Sequence, residues 1–557
     1  MALHQKTVKE TTTPISVDPA TTPAAIYYHP EGFSTSGKKL MGRNAAGESF
    51  LNGYFRHGTP TTFRCSLEDL SHGEAFGQHA QAAGVTRAVE GFSVTDHNEL
   101  EKSETLYYPG PDINELAYRR SMTGSSGFSL CGITHTTSSA RAMDSITGWL
   151  TAPLEPWDAV ICTSSAVKGH VERLLQSELD RLQKKLGVTK FILPQLPVIP
   201  LGIDCAKFEL TDSERVAARS ALSIEEDEVV VLYLGRLSFH AKAHPLAMYQ
   251  ALEMAVSRTG KSVTLIECGW YANDYTQNAY AEAQRAICPS VKCQYLDGRI
   301  EENRSHSWAA ANVFCSLSDN IQETFGITPL EAMAAGLPVV VSDWNGYRDT
   351  VTADVGFRIP TSAPQPGLGA DLAHRYAQGI DNYDFFTGHV SSFVAVDIEA
   401  CADAFCSLVG DPSLRYRMGL AGMVRARSEY DWSSVIPRYE ALWREQAAIR
   451  HQAEPSLPSI WPARMDPFMA FAHYATSQDT VTDTLALTER SQHFEQIMQL
   501  EMVKYANRVT PSTELVADIL ETVGQKEVSI ADVIGEGPAA PFRMRAITFM
   551  KKIGILA

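Results

Sequence analysis

The sequence predicts an α/β protein whose strands form parallel sheets, followed by a mostly helical tail. Short apolar runs alternate with helical patterns through most of the chain, which is typical of parallel sheets covered by helices. A proline-punctuated segment, residues 196–204, separates two such series and predicts an interdomain hinge. The alternation ends near Arg450, where the helical tail begins.

Eight apolar runs are the candidate strands, three before the hinge and five after it. They are AAIYY, GFSLCGI and DAVICT, then EVVVLYLG, SVTLIE, VKCQYL, NVFCSL and LPVVVS. Residues 167–186 repeat apolar side chains at helical spacing and predict an amphipathic helix. The Lys and Arg residues of this helix leave peripheral contact with anionic lipid open as an alternative to an ordinary domain helix.

Composition and charge exclude several classes of protein. Lys and Arg number 48 against 65 Asp and Glu, and a formal net charge of −17 disfavours a protein that binds nucleic acid. No apolar run reaches the roughly 18–20 residues that span a bilayer, and the start lacks a signal-like stretch, so a cytoplasmic location is expected, including the inner face of a membrane. The ten cysteines form no CxxC pair and are interpreted as reduced core residues.

Two glutamates separated by seven residues lie in the stretch QETFGITPLEAMAAGLPVVVSD. Glu323 follows the strand NVFCSL in a loop at the carboxyl edge of a sheet, where open α/β folds bind ligands. Glu331 stands three residues after Thr328, which predicts a capping box with Pro329 at the first helical position. Simple capping for Glu331 and simple solvation for Glu323 remain the alternatives at this point.

A second group of charged residues follows an earlier strand. In YLGRLSFHAKAH, Arg236 and Lys242 lie just beyond the run VVVLYLG, again at a carboxyl strand end. Such cations can neutralise a diphosphate, and the N-terminus of the helix after Gly326 offers unpaired N–H groups to the same anion. Cations and carboxylates on two loops of one sheet suit a nucleotide-sugar, although each cation alone could be a solvated surface residue.

These motifs resemble those of a known family. GRLSFHAK together with ETFGITPLEAMAAGLPVVVSD resembles the donor-binding signature of the retaining family 4 (group 1) glycosyltransferases, including their Glu-x7-Glu motif. VIPLGID at the hinge and YDWSSVIPRYEALW extend the resemblance over about residues 24–450. It implies the GT-B fold, in which two Rossmann-like domains face each other across a cleft.

The implied domains follow the hinge and the end of the alternation. A loose segment, 1–23, precedes an acceptor-side domain, 24–200, and a nucleotide-sugar domain, 201–430. A helix, 431–453, returns toward the first domain, and a helical extension, 454–557, follows with a faint winged-helix pattern. The extension has 9 Lys and Arg against 13 Asp and Glu, so packing, oligomerisation or partner docking is favoured over DNA binding.

The resemblance also implies roles for individual residues. Glu323 and His135, which ends FSLCGITH, would lie beside the donor sugar as the catalytic residues, and Glu331 would hold the ribose. The diphosphate would contact Arg236 and Lys242 and the backbone of Thr324, Phe325 and Gly326. The loop STSGKKLMGRNAAGESF resembles the family's glycine-rich first loop and adds Arg43 and Gly47, although the usual paired glycines are separated here.

The implied reaction is transfer of a sugar from a nucleotide-diphosphate-sugar to a hydroxyl of a glycan, lipid-linked or small-molecule acceptor, with retained anomeric configuration. The sequence has no Asp-x-Asp motif, so metal-independent transfer without a cofactor is expected, with cations stabilising the leaving group. The alternatives are epimerisation or phosphorolysis on the same fold, or a non-catalytic sugar-nucleotide sensor.

Overall fold

The structure, a computed structural model, describes residues 24–33 and 42–557. The predicted loose segment 1–23 and much of the predicted glycine-rich loop lie outside the described residues. The chain divides into two compact units, Met1–Trp461 and Pro462–Ala557. Both predicted α/β domains therefore belong to the first unit.

The first sheet contains six parallel strands in the order β3-β2-β1-β4-β5-β6. These strands are β1 (Ala24–Tyr27), β2 (Thr62–Leu67), β3 (Ala88–Ser93), β4 (Thr105–Tyr107), β5 (Ser129–Thr134) and β6 (Ala159–Cys162). The helices of this half are α1 (Gly42–His57), α2 (His72–Ala82), α3 (His97–Lys102), α4 (Asn114–Ser121), α5 (Ala140–Gly148) and α6 (Ser165–Leu186).

The second sheet also has six parallel strands, in the order β12-β11-β10-β7-β8-β9. They are β7 (Val229–Leu234), β8 (Val263–Gly269), β9 (Lys292–Asp297), β10 (Val313–Ser316), β11 (Val339–Ser342) and β12 (Gly356–Ile359). The helices here are α7 (Asp212–Ala221), α8 (Leu246–Thr259), α9 (Asp274–Ile287), α10 (Glu301–Ala310), α11 (Ile327–Ala334) and α12 (Tyr347–Thr350).

The two sheets share one topology. Counted within each half, both follow the order 3-2-1-4-5-6, which is the doubly wound Rossmann arrangement. The strand order reverses between β1 and β4 in the first sheet and between β7 and β10 in the second. The predicted fold class, two Rossmann-like halves of GT-B type with a helical extension, is confirmed.

All eight predicted strands are present, and the other four strands of the two six-stranded sheets, β2, β3, β4 and β12, were not predicted from the sequence. β4 has only three residues, and β3 lies at the sheet edge with most of its side chains partly or fully exposed. β2 carries Arg64, which breaks the apolar pattern although it is buried. Its guanidinium donates to Ser103 Oγ at 2.8 Å and lies 4.9 Å from the ring of Phe92. A buried cation within the apolar pattern therefore concealed this strand.

After the second sheet, a helical hairpin and three longer helices complete the first unit. The hairpin consists of β13 (Thr361–Ser362), α13 (Ala370–Ala377), α14 (Tyr383–Ser391) and β14 (Ala395–Val396). It is followed by α15 (Ile398–Gly410), α16 (Pro412–Arg425) and α17 (Trp432–His451).

Helix α17 returns the chain to the first sheet. Gln446 Nε2 donates to the backbone oxygens of Leu130 and Trp157, each at 2.8 Å. At the start of the helix, Trp432 packs so closely on Gly53 and Gly202 that a Cβ at either glycine would lie about 2.5 Å or less from the indole. Glycine is needed there for close approach, and the indole joins α1 to the hinge.

The second unit is small and mostly helical. Its elements are α18 (Pro467–Ala470), β15 (Thr484–Leu485), α19 (Phe494–Met498), α20 (Glu501–Lys504), α21 (Thr513–Val523), β16 (Val528–Ser529), α22 (Ile530–Ile534) and α23 (Ala540–Lys552). β15 and β16 pair antiparallel, and the apolar core includes Leu485, Val516, Ile519 and Ile547. Among the helices of the described residues, none combines the length and apolar character needed to cross a membrane.

A fully buried ion pair supports the first sheet. Asp158, just before β6, accepts from Arg120 through both carboxylate oxygens, at 2.6 and 2.7 Å. The same oxygens accept from the backbone N–H groups of Leu130 and Glu155, each at 2.8 Å. Four donors thus converge on one carboxylate, which compensates for its burial.

We expect Asp158→Asn to lower the free energy of unfolding by about 3 kcal/mol or more, because a buried pair is broken and an amide N–H₂ then faces backbone donors. Denaturant unfolding measures this loss. The matched control is Glu178→Gln, which removes a surface pair with Arg181 and should cost less than about 1 kcal/mol. Equal losses in the two variants would contradict the assignment.

Candidate active site

Charged side chains from two loops meet at the switch point of the second sheet. Arg236 and Lys242 follow β7, and Glu323 follows β10, the strand beside it. Lys242 Nζ lies 2.5 Å from Glu323 Oε2, and only 10% of the Glu323 side chain is exposed. Arg236 donates to Gln322 Oε1 at 3.0 Å. The predicted cations and the first glutamate therefore form one cluster at the edge where this fold binds ligands.

The loop that carries Glu323 is held by hydrogen bonds along its length. Asn320 Nδ2 donates to the backbone oxygen of His240 at 2.9 Å, and Trp344 Nε1 donates to Asn320 O at 3.1 Å. The amide of Asn345 donates to the backbone oxygen of Glu323. These contacts tie the loop after β10 to the cationic loop and to the loop after β11.

Helix α11 begins differently from the prediction. Its N-cap is Gly326, at φ 86°, and no side chain caps the helix. A Cβ at Gly326 would lie 2.0 Å from the ring of Tyr347, so only glycine fits. Thr328 lies inside the helix, and the predicted capping box with Glu331 is wrong because the helix begins two residues earlier than the box requires.

The carboxylate of Glu331 has no hydrogen-bond partner among the described residues. Burial raises the pKa of this carboxyl to about 7, while the positive charges of Arg304 and Lys207 oppose the shift. Because the Glu331 carboxylate does not cap the helix, its oxygens can accept hydrogen bonds from hydroxyl groups of a ligand. The interpretation of Glu331 as a helix cap is therefore wrong, whereas its role in holding a ribose stays a prediction.

Residues that follow strands of the first sheet contact the loop that carries Glu323. His135 follows β5, and its backbone oxygen accepts from Thr324 Oγ1 at 3.2 Å. Ser164, the N-cap of α6, donates to the backbone oxygen of Thr324 at 2.9 Å. Burial lowers the pKa of the His135 imidazole to about 4, so the ring is neutral at neutral pH. A neutral imidazole can accept or donate a hydrogen bond without adding charge.

The two residues predicted in the N-terminal loop lie elsewhere. Gly47 and Arg43 are part of α1, so their predicted position in a loop is wrong. Gly47 has a packing reason to be glycine, because a Cβ there would lie 2.3 Å from the backbone oxygen of Gly32. The side chain of Arg43 lies outside the described residues.

Residues 214–366 match the family model described as glycosyl transferases group 1. The matched range contains the loops of Arg236, Lys242 and Glu323, and also Glu331. The segment that carries the predicted cluster is therefore similar to the group 1 glycosyltransferases.

Similar proteins carry related names. A D-inositol 3-phosphate glycosyltransferase of Kribbella flavida is 26% identical over 254 residues, covering 45% of this chain and 51% of the relative. An alpha-monoglucosyldiacylglycerol synthase of Streptococcus pneumoniae is 29% identical over 207 residues, covering 36% and 40%. The chain thus spans about half the length of these curated relatives or less. The structure of Anabaena HepE in complex with UDP covers 73% of this chain and 98% of its own, with a TM-score of 0.47 and 16% identity.

The sequence analysis did not identify three residues that lie near the candidate site. Ser164 and Asn345 hold the Glu323 loop, and Asp319 lies beneath it with Oδ1 unpaired in the described part of the chain. Burial raises the pKa of Asp319 to about 7. Ser164 and Asp319 follow predicted strands, so their strand-end position was the available signal.

The raised pKa of Glu331 predicts a stability that depends on pH. Its stabilising contribution is complete below the ordinary pKa of 4.5 and is lost as pH rises toward about 7, because unfolding then releases a buried carboxylate into water. We expect Glu331→Gln to be more stable than the wild type at pH 8, by about 1–3 kcal/mol, with the gain vanishing below pH 4.5. Thermal unfolding across this range measures the difference.

Glu282→Gln, at an exposed glutamate of α9, is the control for the substitution itself. A difference between Glu331→Gln and the wild type that stays constant from pH 4.5 to pH 8 would contradict the burial of an ionised Glu331.

Proposed function

We propose that this protein transfers a sugar from a nucleotide-diphosphate-sugar to a hydroxyl acceptor. The observation that carries the proposal is the Lys242–Glu323 pair at the switch point of the second sheet. The next residue, Thr324, donates to the backbone oxygen of His135 of the first sheet. A cation and a carboxylate at one point suit a ligand in which a diphosphate adjoins a sugar. The match of residues 214–366 to the group 1 glycosyltransferase model supports the same reaction class.

The diphosphate would bind on the cationic side of the cluster. Arg236 and Lys242 supply positive charge, and the backbone N–H groups from Thr324 to Gly326 lie at the start of α11, where helix ends favour anions. Lys242 is already paired with Glu323, so a bound diphosphate would replace Glu323 as its partner. Glu323 would then accept hydrogen bonds from hydroxyl groups of the sugar.

The nucleoside and sugar ends of the donor would use different carboxylates. Glu331, unpaired and in the second turn of α11, would accept from the ribose hydroxyls. Glu323 and neutral His135 would contact the sugar near the reacting carbon, where they stabilise positive charge and orient hydroxyl groups. Transfer with retained configuration follows from the family resemblance, and the acceptor would enter from the first sheet.

Charge on the departing diphosphate would be stabilised by Arg236, Lys242 and the start of α11 rather than by a metal ion. We therefore expect donor turnover, measured over a panel of nucleotide-sugars, to persist in EDTA at more than about half of its rate. Turnover that is lost in EDTA and restored by a divalent ion would contradict this arrangement.

Substitution of the two glutamates should separate chemistry from nucleotide binding. We expect Glu323→Gln to lower turnover about 10- to 1,000-fold while changing stability by about 1 kcal/mol or less, because its ion pair is partly exposed. Its affinity for free nucleoside diphosphate should change little. Glu331→Gln should instead weaken binding of the free diphosphate and of the whole donor alike.

Titration calorimetry with the diphosphate and with the complete donor, beside initial rates, measures both effects. A Glu323→Gln variant that unfolds or keeps full turnover would exclude Glu323 from the reaction. A chain that binds donors without any transfer or hydrolysis would instead be a sugar-nucleotide sensor.

A further inference from the structure

The helical hairpin of α13 and α14 contacts both walls of the site. It lies largely beyond residue 366, where the group 1 match ends. On the first sheet's side, the Tyr383 hydroxyl is 2.9 Å from Ser138 Oγ, and Ala140 N–H donates to the Tyr376 hydroxyl at 2.8 Å. Ser138 and Ala140 lie in the segment that leads from His135 into α5.

On the second sheet's side, the same hairpin meets the cationic loop. Ser391 Oγ donates to the backbone oxygen of His240 at 3.4 Å, and a Cβ at Gly388 would lie 3.2 Å from the Cβ of His240. His240 stands between Arg236 and Lys242 in the chain. The hairpin therefore spans from the diphosphate loop to the His135 loop.

Contacts within the hairpin hold its two helices together. Tyr376 stacks on Phe386, with ring centroids 4.2 Å apart and planes 3° from parallel. Asp381, at the turn between the helices, accepts from Arg375 at 2.8 Å and lies 3.1 Å from His389 Nδ1. These contacts fix α13 against α14 within the hairpin itself.

We propose that the α13–α14 hairpin is an interdomain clasp in which Tyr376 and Tyr383 act as positioning residues that hold the His135 loop against the donor site. This inference rests on the proposed glycosyl transfer. Contacts between two α/β halves are easily rearranged by hinge motion, and two hydroxyl bonds across the cleft favour the closed arrangement. In that arrangement His135 and Thr324 meet. The clasp would thus control the geometry for transfer rather than the affinity for the diphosphate.

The test is the double variant Tyr376→Phe with Tyr383→Phe, which keeps both rings and removes both hydroxyl groups. Loss of each hydrogen bond should lower kcat about fivefold, and the double variant about 25-fold, while the Kd for nucleoside diphosphate stays within about twofold. Tyr416→Phe, at a tyrosine of α16 that is 73% exposed, is the matched control and should leave kcat unchanged.

Hydrogen exchange of residues 135–142 tests the clasp without any donor. We expect these amides, including Ala140, to exchange at least about fivefold faster in the double variant and unchanged in Tyr416→Phe. Ser138→Ala should reproduce the kinetic effect of Tyr383→Phe, and the two substitutions together should add nothing further, because they remove one hydrogen bond.

Unchanged exchange in the double variant would overturn the clasp, and faster exchange with full kcat would overturn its role in positioning. If the wild type turns over no nucleotide-sugar, the proposed function fails separately. Faster exchange of residues 135–142 would then still support the clasp as a link between the two halves, and unchanged exchange would still refute it.

Discussion

The site depends on one close approach between a backbone and a ring. Gly326, at φ 86°, passes so near the ring of Tyr347 that any side chain would collide with it. The Tyr347 hydroxyl lies 2.9 Å from Ser316 Oγ at the end of β10, which fixes the ring. This packing sets the path of the loop after β10. It places Thr324 against residues of the first half. It also starts α11 at Gly326, so Glu331 takes no part in capping the helix.

The loop after β10 and the start of α11 bring together acidic and basic side chains whose charged forms are costly in the absence of a ligand. Glu323 and Lys242 neutralise each other, whereas desolvation raises the pKa values of Glu331 and Asp319 and so disfavours their charged forms. Under the proposed function, these unpaired acceptors would be in place for the hydroxyl groups of the donor before the donor arrives. Stability is lowered at these positions in exchange for preorganisation of the site, a balance common at functional sites.

The sequence predicted much of the fold because continuous β-branched runs mark buried parallel strands, as in β7 and β11. Strands whose pattern was broken by Arg64, by edge exposure or by shortness were missed. The cluster of Arg236, Lys242 and Glu323 was predictable because each residue follows such a strand. The contact of Ser164 with Thr324 joins two sheets, and the cap at Gly326 depends on Tyr347. Both are tertiary facts that local patterns do not contain.

The chain passes between the two halves twice, and the two connecting segments are hydrogen-bonded to each other. Ile203 N–H donates to Tyr430 O at 2.8 Å, and Trp432 N–H donates to Ile203 O at 3.0 Å, so the hinge and the start of α17 form one strip. Trp432 then packs against Gly202 on this strip and Gly53 in α1. This joint ties the segment before α7, the start of α17 and α1 together at one place. Contacts away from the joint, such as those of Thr324 with the first sheet, therefore decide how closely the site is shut.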